Sequence, residues 1–261
     1  MERESVAQTV ENKLIPLNSW LTKNKLAVNH SKTNFILFSY RKSISIRPLK
    51  FGNSHIHQTD FTKFLGIIID SHLKFDKHIS QICNKISKTI GIIHKLNYFM
   101  PLFILKTLYS SLVLPYLTYG LEVWYSAPKY QTDRVFILQK KAVRAMNSLP
   151  FNSHTHEYFS RMQLLKLDDL YTLQVLRSLH ARICDNDSIP LQRSNNLYQT
   201  RNRNLLQVPF FNKSATQKSF IYQQIIKWNH LPISFHSITN KDKFKRCVKS
   251  HILASYSSQT I

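Results

Sequence analysis

The chain has 261 residues and sets 36 lysines and arginines against 14 aspartates and glutamates, a formal net charge of +22. With 43% hydrophobic and 12% aromatic residues it carries enough apolar surface to bury one or two cores, which excludes a wholly disordered basic tail. Its four glycines exclude collagen-like and glycine-linker architectures and make glycine-dependent phosphate loops unworkable.

The chain opens Met1-Glu-Arg-Glu-Ser, alternating charge where a signal peptide needs a basic start and an apolar run, so no secretory leader is expected. Val10, Leu14, Leu17 and Leu21 recur at helical spacing and predict a helix ending near Asn24. Val28 and residues 35–38 read as the strands of a hairpin across the polar turn 29–33, with further short strands at 44–46, 55–57 and 64–69, closed by Asp70-Ser71. Ile79, Ile82, Ile86, Ile90 and Ile93 then predict an amphipathic helix over about 77–96. Pro101 opens a helix through Leu112 and Pro115 another through Trp124. Val135, Leu138, Ala142 and Met146 mark a third, with Lys140, Lys141 and Arg144 on its outer side.

Residues 151–161 read as a polar connection. Leu170, Leu173, Leu176, Leu179 and Ile183 predict a helix that stops at the turn 185–190. A basic loop at 191–211 precedes two last helices, about 218–230 and 241–253, the second carrying Phe244, Val248 and Ile252 inward. The expected fold class is α+β, mostly α: a small antiparallel β region followed by a helical bundle and a helical C-terminal region. The apolar stretch 98–125 is interrupted by Lys106, Pro101 and Pro115, and its uncharged part falls short of the ~20 residues of a membrane span. It reads as core helices, with no membrane partner.

No acidic residue lies between Glu11 and Asp60, between Asp76 and Glu122, or between Asp187 and Asp242, while lysines and arginines run on through each gap. Positive surface left uncompensated on this scale calls for a polyanion. On the isoleucine helix, Lys77, Lys85, Lys88 and Lys95 fall within an arc of roughly 80° opposite the isoleucines, at ~100° per residue. Such a stripe suits a nucleic-acid backbone, and taken alone it suits an anionic bilayer surface as well.

Little else in the sequence carries chemistry. The one adjacent acidic pair, Asp168-Asp169, precedes a strong helical stripe, so Asp168 reads as an N-cap and Asp169 as a first-turn residue. Asp185 and Asp187 fit an ordinary turn. The pairs His55/His57 and His154/His156 have no cysteine or carboxylate at zinc-ligand spacing, and no Gly-x-Ser-x-Gly elbow occurs. Tyr116, Tyr119, Trp124 and Tyr125 read as core rather than as base-stacking residues. Cys83, Cys184 and Cys247 are too widely spaced for a disulfide framework, which points to an intracellular setting, nucleus or cytoplasm.

Ordered motifs run through almost the whole chain. Trp20-Leu-Thr-Lys-Asn-Lys-Leu-Ala-Val-Asn-His-Ser-Lys-Thr33 is followed by 35–38 and by Phe64-Leu-Gly-Ile-Ile-Ile-Asp70. Next come His78-Ile79, Lys85-Ile-Ser-Lys88, Leu108-Tyr109, Pro115-Tyr-Leu-Thr-Tyr-Gly120, Trp124 and Gln139-Lys-Lys-Ala-Val-Arg144. Residues 167–176, Thr200-Arg-Asn202, Trp228-Asn-His-Leu-Pro232 and Phe244-Lys245 complete the series. In this order they resemble the distal palm, thumb and C-terminal region of reverse transcriptases from non-LTR retrotransposons of the jockey and related clades.

That resemblance implies three segments: 1–70 as a palm remnant with a primer-grip-like hairpin, 71–150 as a helical thumb, and 151–261 as a basic helical C-terminal region. It places Lys32 at the lysine of the palm's fourth block, which is proposed to help protonate departing pyrophosphate, and Phe64, Leu65 and Gly66 at the primer grip. It turns Lys85, Lys88 and Lys95 toward the template and primer duplex; with Lys77, Lys140, Lys141 and Arg144 these are the expected contacts to RNA, DNA or an RNA:DNA duplex, and association with other element-encoded proteins is compatible with it. The family's paired aspartates, which hold Mg2+ in the complete enzyme, lie upstream of the Trp20 helix. This chain is therefore expected to need no cofactor of its own and to be inactive alone. The alternative expectation is a non-catalytic helical interaction protein derived from a transposon.

Overall fold

The computed structural model describes residues 2–39, 44–185, 205–210, 214–217 and 219–257. Most of the expected basic loop, the Thr200-Arg-Asn202 motif, Asp187 and Lys218 lie outside the described residues. The fold is α+β and mostly helical, as the sequence predicts. The chain divides into two compact units, Met1–His78 and Ile79–Ile261.

In the first unit, α1 (Glu2–Lys23) packs on a small sheet through Ala7, Leu14 and Leu21, which meet Leu49, Phe51 and Ile56. The expected stripe is only half right, because Val10 and Leu17 are exposed. The buried face includes a small residue and an acid that conceal it in the sequence. Glu11 accepts from both terminal nitrogens of Arg47, at 2.6 and 2.8 Å, and from the Lys50 backbone N–H at 2.8 Å. These bonds hold its carboxyl well below the usual carboxylate range, at about 2, with the Arg47 bond the largest cause.

After α1 the expected hairpin does not form. Residues 29–33 make a 3₁₀ turn, His30–Lys32, in which the Asn29 side chain accepts from the Lys32 N–H and the Ser31 hydroxyl. Strand β1 is only Asn34–Phe35. It runs parallel to β3 (Ser54–Gln58), which pairs antiparallel with β2 (Leu49–Phe51), giving the order β1-β3-β2. Residues 44–46 form no strand, because a side chain takes the place of a neighbouring backbone. Gln58 accepts from the Ile46 N–H at 2.9 Å and donates to the Ile44 carbonyl at 2.7 Å. At the β2–β3 turn Gly52 has φ +61°, and a Cβ there would stand 3.0 Å from Asn18 Oδ1 of α1, so any larger residue is strained in its backbone and displaces the Asn18 side chain.

The expected strand 64–69 is two strands, β4 (Phe61–Phe64) and β5 (Ile67–Asp70), paired antiparallel with Phe64 opposite Ile67. Leu65 and Gly66 connect them with φ of 46° and 85°, positive at both positions as a type I′ turn requires. Asp70 then accepts from the backbone N–H groups of His72, Lys74 and Phe75, organising the turn into α2 (Asp76–Leu96).

In the second unit Ile79, Ile82, Ile86 and Ile93 of α2 are buried, so the apolar periodicity read from sequence is realised. Next comes α3 (Leu102–Leu112). The single helix expected from Pro115 to Trp124 is split into α4 (Leu114–Thr118) and α5 (Leu121–Trp124) by Gly120 at φ 59°. Beyond lie α6 (Lys129–Met146), α7 (His156–Arg161) and α8 (Leu167–Cys184). The elements α9 (Ser214–Gln217), α10 (Phe220–Asn229), α11 (Ile233–His236) and α12 (Lys241–Ser257) complete the unit. Helix α7 lies within the expected polar connection.

Helix α8 is the hub, touching α4, α5, α6, α10 and α12. Leu170, Tyr171, Leu173, Val175, Leu176 and Leu179 are buried around most of its circumference, as a central helix requires. Its N-cap is Lys166, not Asp168; both aspartates sit in the first turn. At its other end His180 stacks on Phe244 with ring centroids 3.9 Å apart, and Trp228 stacks on His236 at 4.6 Å, which ties α8 to α10, α11 and α12. Among the described residues no helix is long and apolar enough to cross a membrane.

Candidate nucleic-acid interface

Helix α2 presents Lys77, Lys85, Lys88 and Lys95 as exposed residues, with Ile79, Ile82, Ile86 and Ile93 turned inward. Two of these lysines rest on aromatic rings. Lys77 Nζ lies 3.0 Å from the centroid of Phe61, and Lys85 Nζ lies 5.1 Å from that of Tyr116. Lys88 and Lys95 extend the stripe along the same helix face. No acidic residue follows Asp76 in α2 to neutralise it.

The basic residues of α6 are placed differently. Lys140, Lys141 and Arg144 are half-buried, and Arg144 Nε donates to the Ser153 carbonyl at 2.9 Å. Lys141 Nζ sits 5.7 Å from the Phe151 centroid, and Lys140 Nζ 4.9 Å from that of Phe136. Lys141 and Arg144 meet the C-terminal part of α2 across an open cavity of about 430 Å³, which also takes in His94, Tyr98 and Phe151. No periodicity or motif in the sequence marks His94, Tyr98 and Phe151 as site residues. The available signal was an aromatic just beyond each helix end, after Asn97 and after Ser148-Leu-Pro150, where core packing makes no claim on it.

In the first unit the hairpin residues form an exposed apolar tip. Phe64 is 61% and Leu65 75% exposed, so neither belongs to a strand core. Leu65 also adopts the left-handed backbone that leucine disfavours. Lys32, on its 3₁₀ turn, is exposed, and the Asn29 side chain holds the turn by accepting from the Ser31 hydroxyl and the Lys32 N–H. Among the aromatics read as core, Trp124 is fully buried and its Nε1 donates to the Tyr119 carbonyl at 3.0 Å, whereas Tyr119 itself is exposed.

Many of the ordered sequence motifs are structural. Gln139 joins Tyr109 and the Leu165 carbonyl inside the core, and Asn229 pairs with both backbone polar groups of Leu206. The acids are likewise engaged. Tyr125 donates to Asp168 at 2.6 Å, Lys129 lies 3.7 Å from the same carboxylate, and Tyr256 donates to Asp169. Burial, then the Asp168 bond, pushes the Tyr125 hydroxyl upward; burial also raises Asp169 and lowers Lys227. Mg2+ in a polymerase needs several oxygen ligands converging on one point. Among the described residues no three His, Cys, Asp or Glu side chains do so, and Asp70, Asp168 and Asp169 are spent on backbone N–H groups, tyrosines and a lysine. These residues do not fit a two-metal centre.

Comparison with known proteins gives the class first. The chain is similar to RNA-directed DNA polymerases of jockey-type and other non-LTR mobile elements. The polymerase from mobile element jockey of Drosophila melanogaster is 27% identical over 154 residues, 58% of this chain and 17% of that protein. A probable RNA-directed DNA polymerase from transposon BS of the same species is 26% identical over 149 residues, 56% of this chain and 16% of that protein. The jockey polymerase of Drosophila funebris is 23% identical over 171 residues, 63% of this chain and 18% of the relative. The matches thus cover less than a fifth of the length of these relatives. No family model matches the sequence, and no solved structure matches it significantly.

Proposed function

We propose that the chain is a piece of a non-LTR reverse transcriptase that holds the template and primer by charge and does not extend the primer on its own. The observation that carries this reading is the lysine face of α2, exposed, uncompensated and set over a buried isoleucine face, in a chain similar to RNA-directed DNA polymerases. In this reading Lys85, Lys88 and Lys95 contact phosphates of an RNA:DNA duplex, and Lys140, Lys141 and Arg144 add to the same field. Lys77 lies at the N-terminal end of the stripe. The tip Phe64-Leu65-Gly66 approaches a primer strand, where glycine lets backbone come close, and Lys32 is the palm lysine. Mg2+ belongs to the complete family enzyme, and no step is assigned to it on this chain.

The test is fluorescence anisotropy with a labelled RNA:DNA duplex, together with primer extension by the purified chain in Mg2+. The expected result is duplex binding that weakens about tenfold or more in the triple variant K85Q/K88Q/K95Q, and no nucleotide incorporation. Absence of duplex binding overturns the holding role, and binding without duplex preference favours the helical interaction protein. Incorporation by a preparation free of contaminating polymerase overturns the inactivity.

A further inference from the structure

The cavity between the ends of α2 and α6 has a composition that phosphate contacts alone do not explain. Tyr98 is 92% and Phe151 73% exposed, an unusual disposition for two large aromatics beside one opening. Their positions are fixed by the helix ends. Ser148, at φ 52°, ends α6 with Leu149 N–H donating to the Arg144 carbonyl at 3.0 Å, the wide loop of a Schellman turn, and this turn leads straight to Phe151. Asn97 donates to the Ser148 hydroxyl and joins that turn to the end of α2, one residue before Tyr98.

Basic side chains surround the aromatics. Lys141 stands beside Phe151, Arg144 is anchored through Nε so that its terminal nitrogens remain for an anion, and His94 lines the α2 side. No carboxylate lines the cavity among the described residues. Flat apolar faces beside fixed cations, with no acid, match a nucleotide, whose base stacks and whose phosphate pairs with the cations. A base inside a duplex has both faces covered by its neighbours. The site therefore suits a nucleotide outside the duplex.

We infer that this cavity takes one unpaired nucleotide of a strand overhanging the RNA:DNA duplex, its base against Tyr98 or Phe151 and its phosphate on Lys141 and Arg144. The inference rests on the holding role proposed above and adds a single-strand subsite to it. It is tested with duplexes bearing either a blunt end or a short single-stranded overhang containing 2-aminopurine, whose fluorescence falls on stacking. The overhang is expected to tighten binding about tenfold and to be quenched on binding. The variant Y98L/F151L keeps apolar bulk at exposed positions but removes the ring faces. It is expected to bind blunt duplex unchanged and to lose both the tightening and the quench. If blunt and overhanging duplexes bind equally well with no quench, or if the variant retains the quench, the subsite is overturned while duplex holding stands. If neither duplex binds, both the subsite and the holding role fail.

Discussion

Gln139 Nε2 donates a 2.9 Å hydrogen bond to the Tyr109 hydroxyl in the core of the second unit, 30 residues apart in sequence and with neither side chain reached by solvent. The same nitrogen donates to the Leu165 carbonyl at 2.9 Å, so one amide fastens α6 to α3 and to the segment entering α8. Burial pushes the Tyr109 hydroxyl up to about 12, against the opposing pull of the Gln139 bond. Replacing Tyr109 by phenylalanine leaves a buried N–H without its acceptor. Y109F is expected to lower stability by about 1–3 kcal/mol in urea unfolding, with an unchanged m-value. An unchanged midpoint would show that the bond contributes nothing.

The Glu11–Arg47 pair gives the first unit a pH dependence. Glu11 titrates near 2 in the fold against an ordinary 4.5, a lowered value, so its contribution is complete above about 4.5 and declines as the pH falls from there through about 2. The stability difference between the wild-type chain and E11Q should be constant near neutrality, shrink below pH 4.5 and vanish near pH 2. A difference that grows on acidification would reverse the assignment. Arg47 is well exposed while Glu11 is mostly covered, so solvent screens the pair from the arginine side and the effect belongs to the titration profile and not to a large increment of stability.

Leu65 keeps a left-handed conformation at an exposed hairpin tip, a cost of about 1–2 kcal/mol for a residue with a full side chain. Asparagine tolerates that conformation and gives up little burial there. L65N is expected to stabilise the first unit by about 0.5–1 kcal/mol in thermal unfolding while reducing affinity for a primer strand. A loss of stability would mean that the leucine side chain contributes more in place than its strained backbone costs.

Asn229 accepts from the Leu206 N–H at 3.0 Å and donates to the Leu206 carbonyl at 2.8 Å, pairing as a strand neighbour would. N229A removes both bonds from the backbone of Leu206, a buried residue. The Leu206 amide should exchange with deuterium at least tenfold faster in the variant, and stability should fall by about 1–3 kcal/mol. Unchanged exchange at Leu206 would show that other contacts hold this segment.

The sequence spoke most clearly where one physical rule acts alone. In α2 the three- and four-residue spacing of isoleucines separates a buried face from a lysine face, and both appear where the period puts them. In α8 the leucines were legible, although the burial of Tyr171 and His180 depends on helices arriving from far along the chain. Helix α1 misled because Ala7 and Glu11 form part of its packed side while Val10 and Leu17 do not. Residues 44–46 have strand composition but meet the Gln58 side chain in place of a partner strand. The short α7 and α11 carry too few turns for periodicity to register. Of the interface, the basic stripe was legible and the cavity was not, because Tyr98 and Phe151 come together only when α2 and α6 end side by side.

If α2 holds a nucleic-acid duplex by its lysines, as proposed, binding must depend steeply on salt. Each phosphate contact steepens the plot of log affinity against log salt by about 0.9. The wild-type chain is expected to show a steep negative slope on an RNA:DNA duplex, shallower by about 2–3 in K85Q/K88Q/K95Q. A flat dependence, or one unaltered in the triple variant, would contradict the holding role.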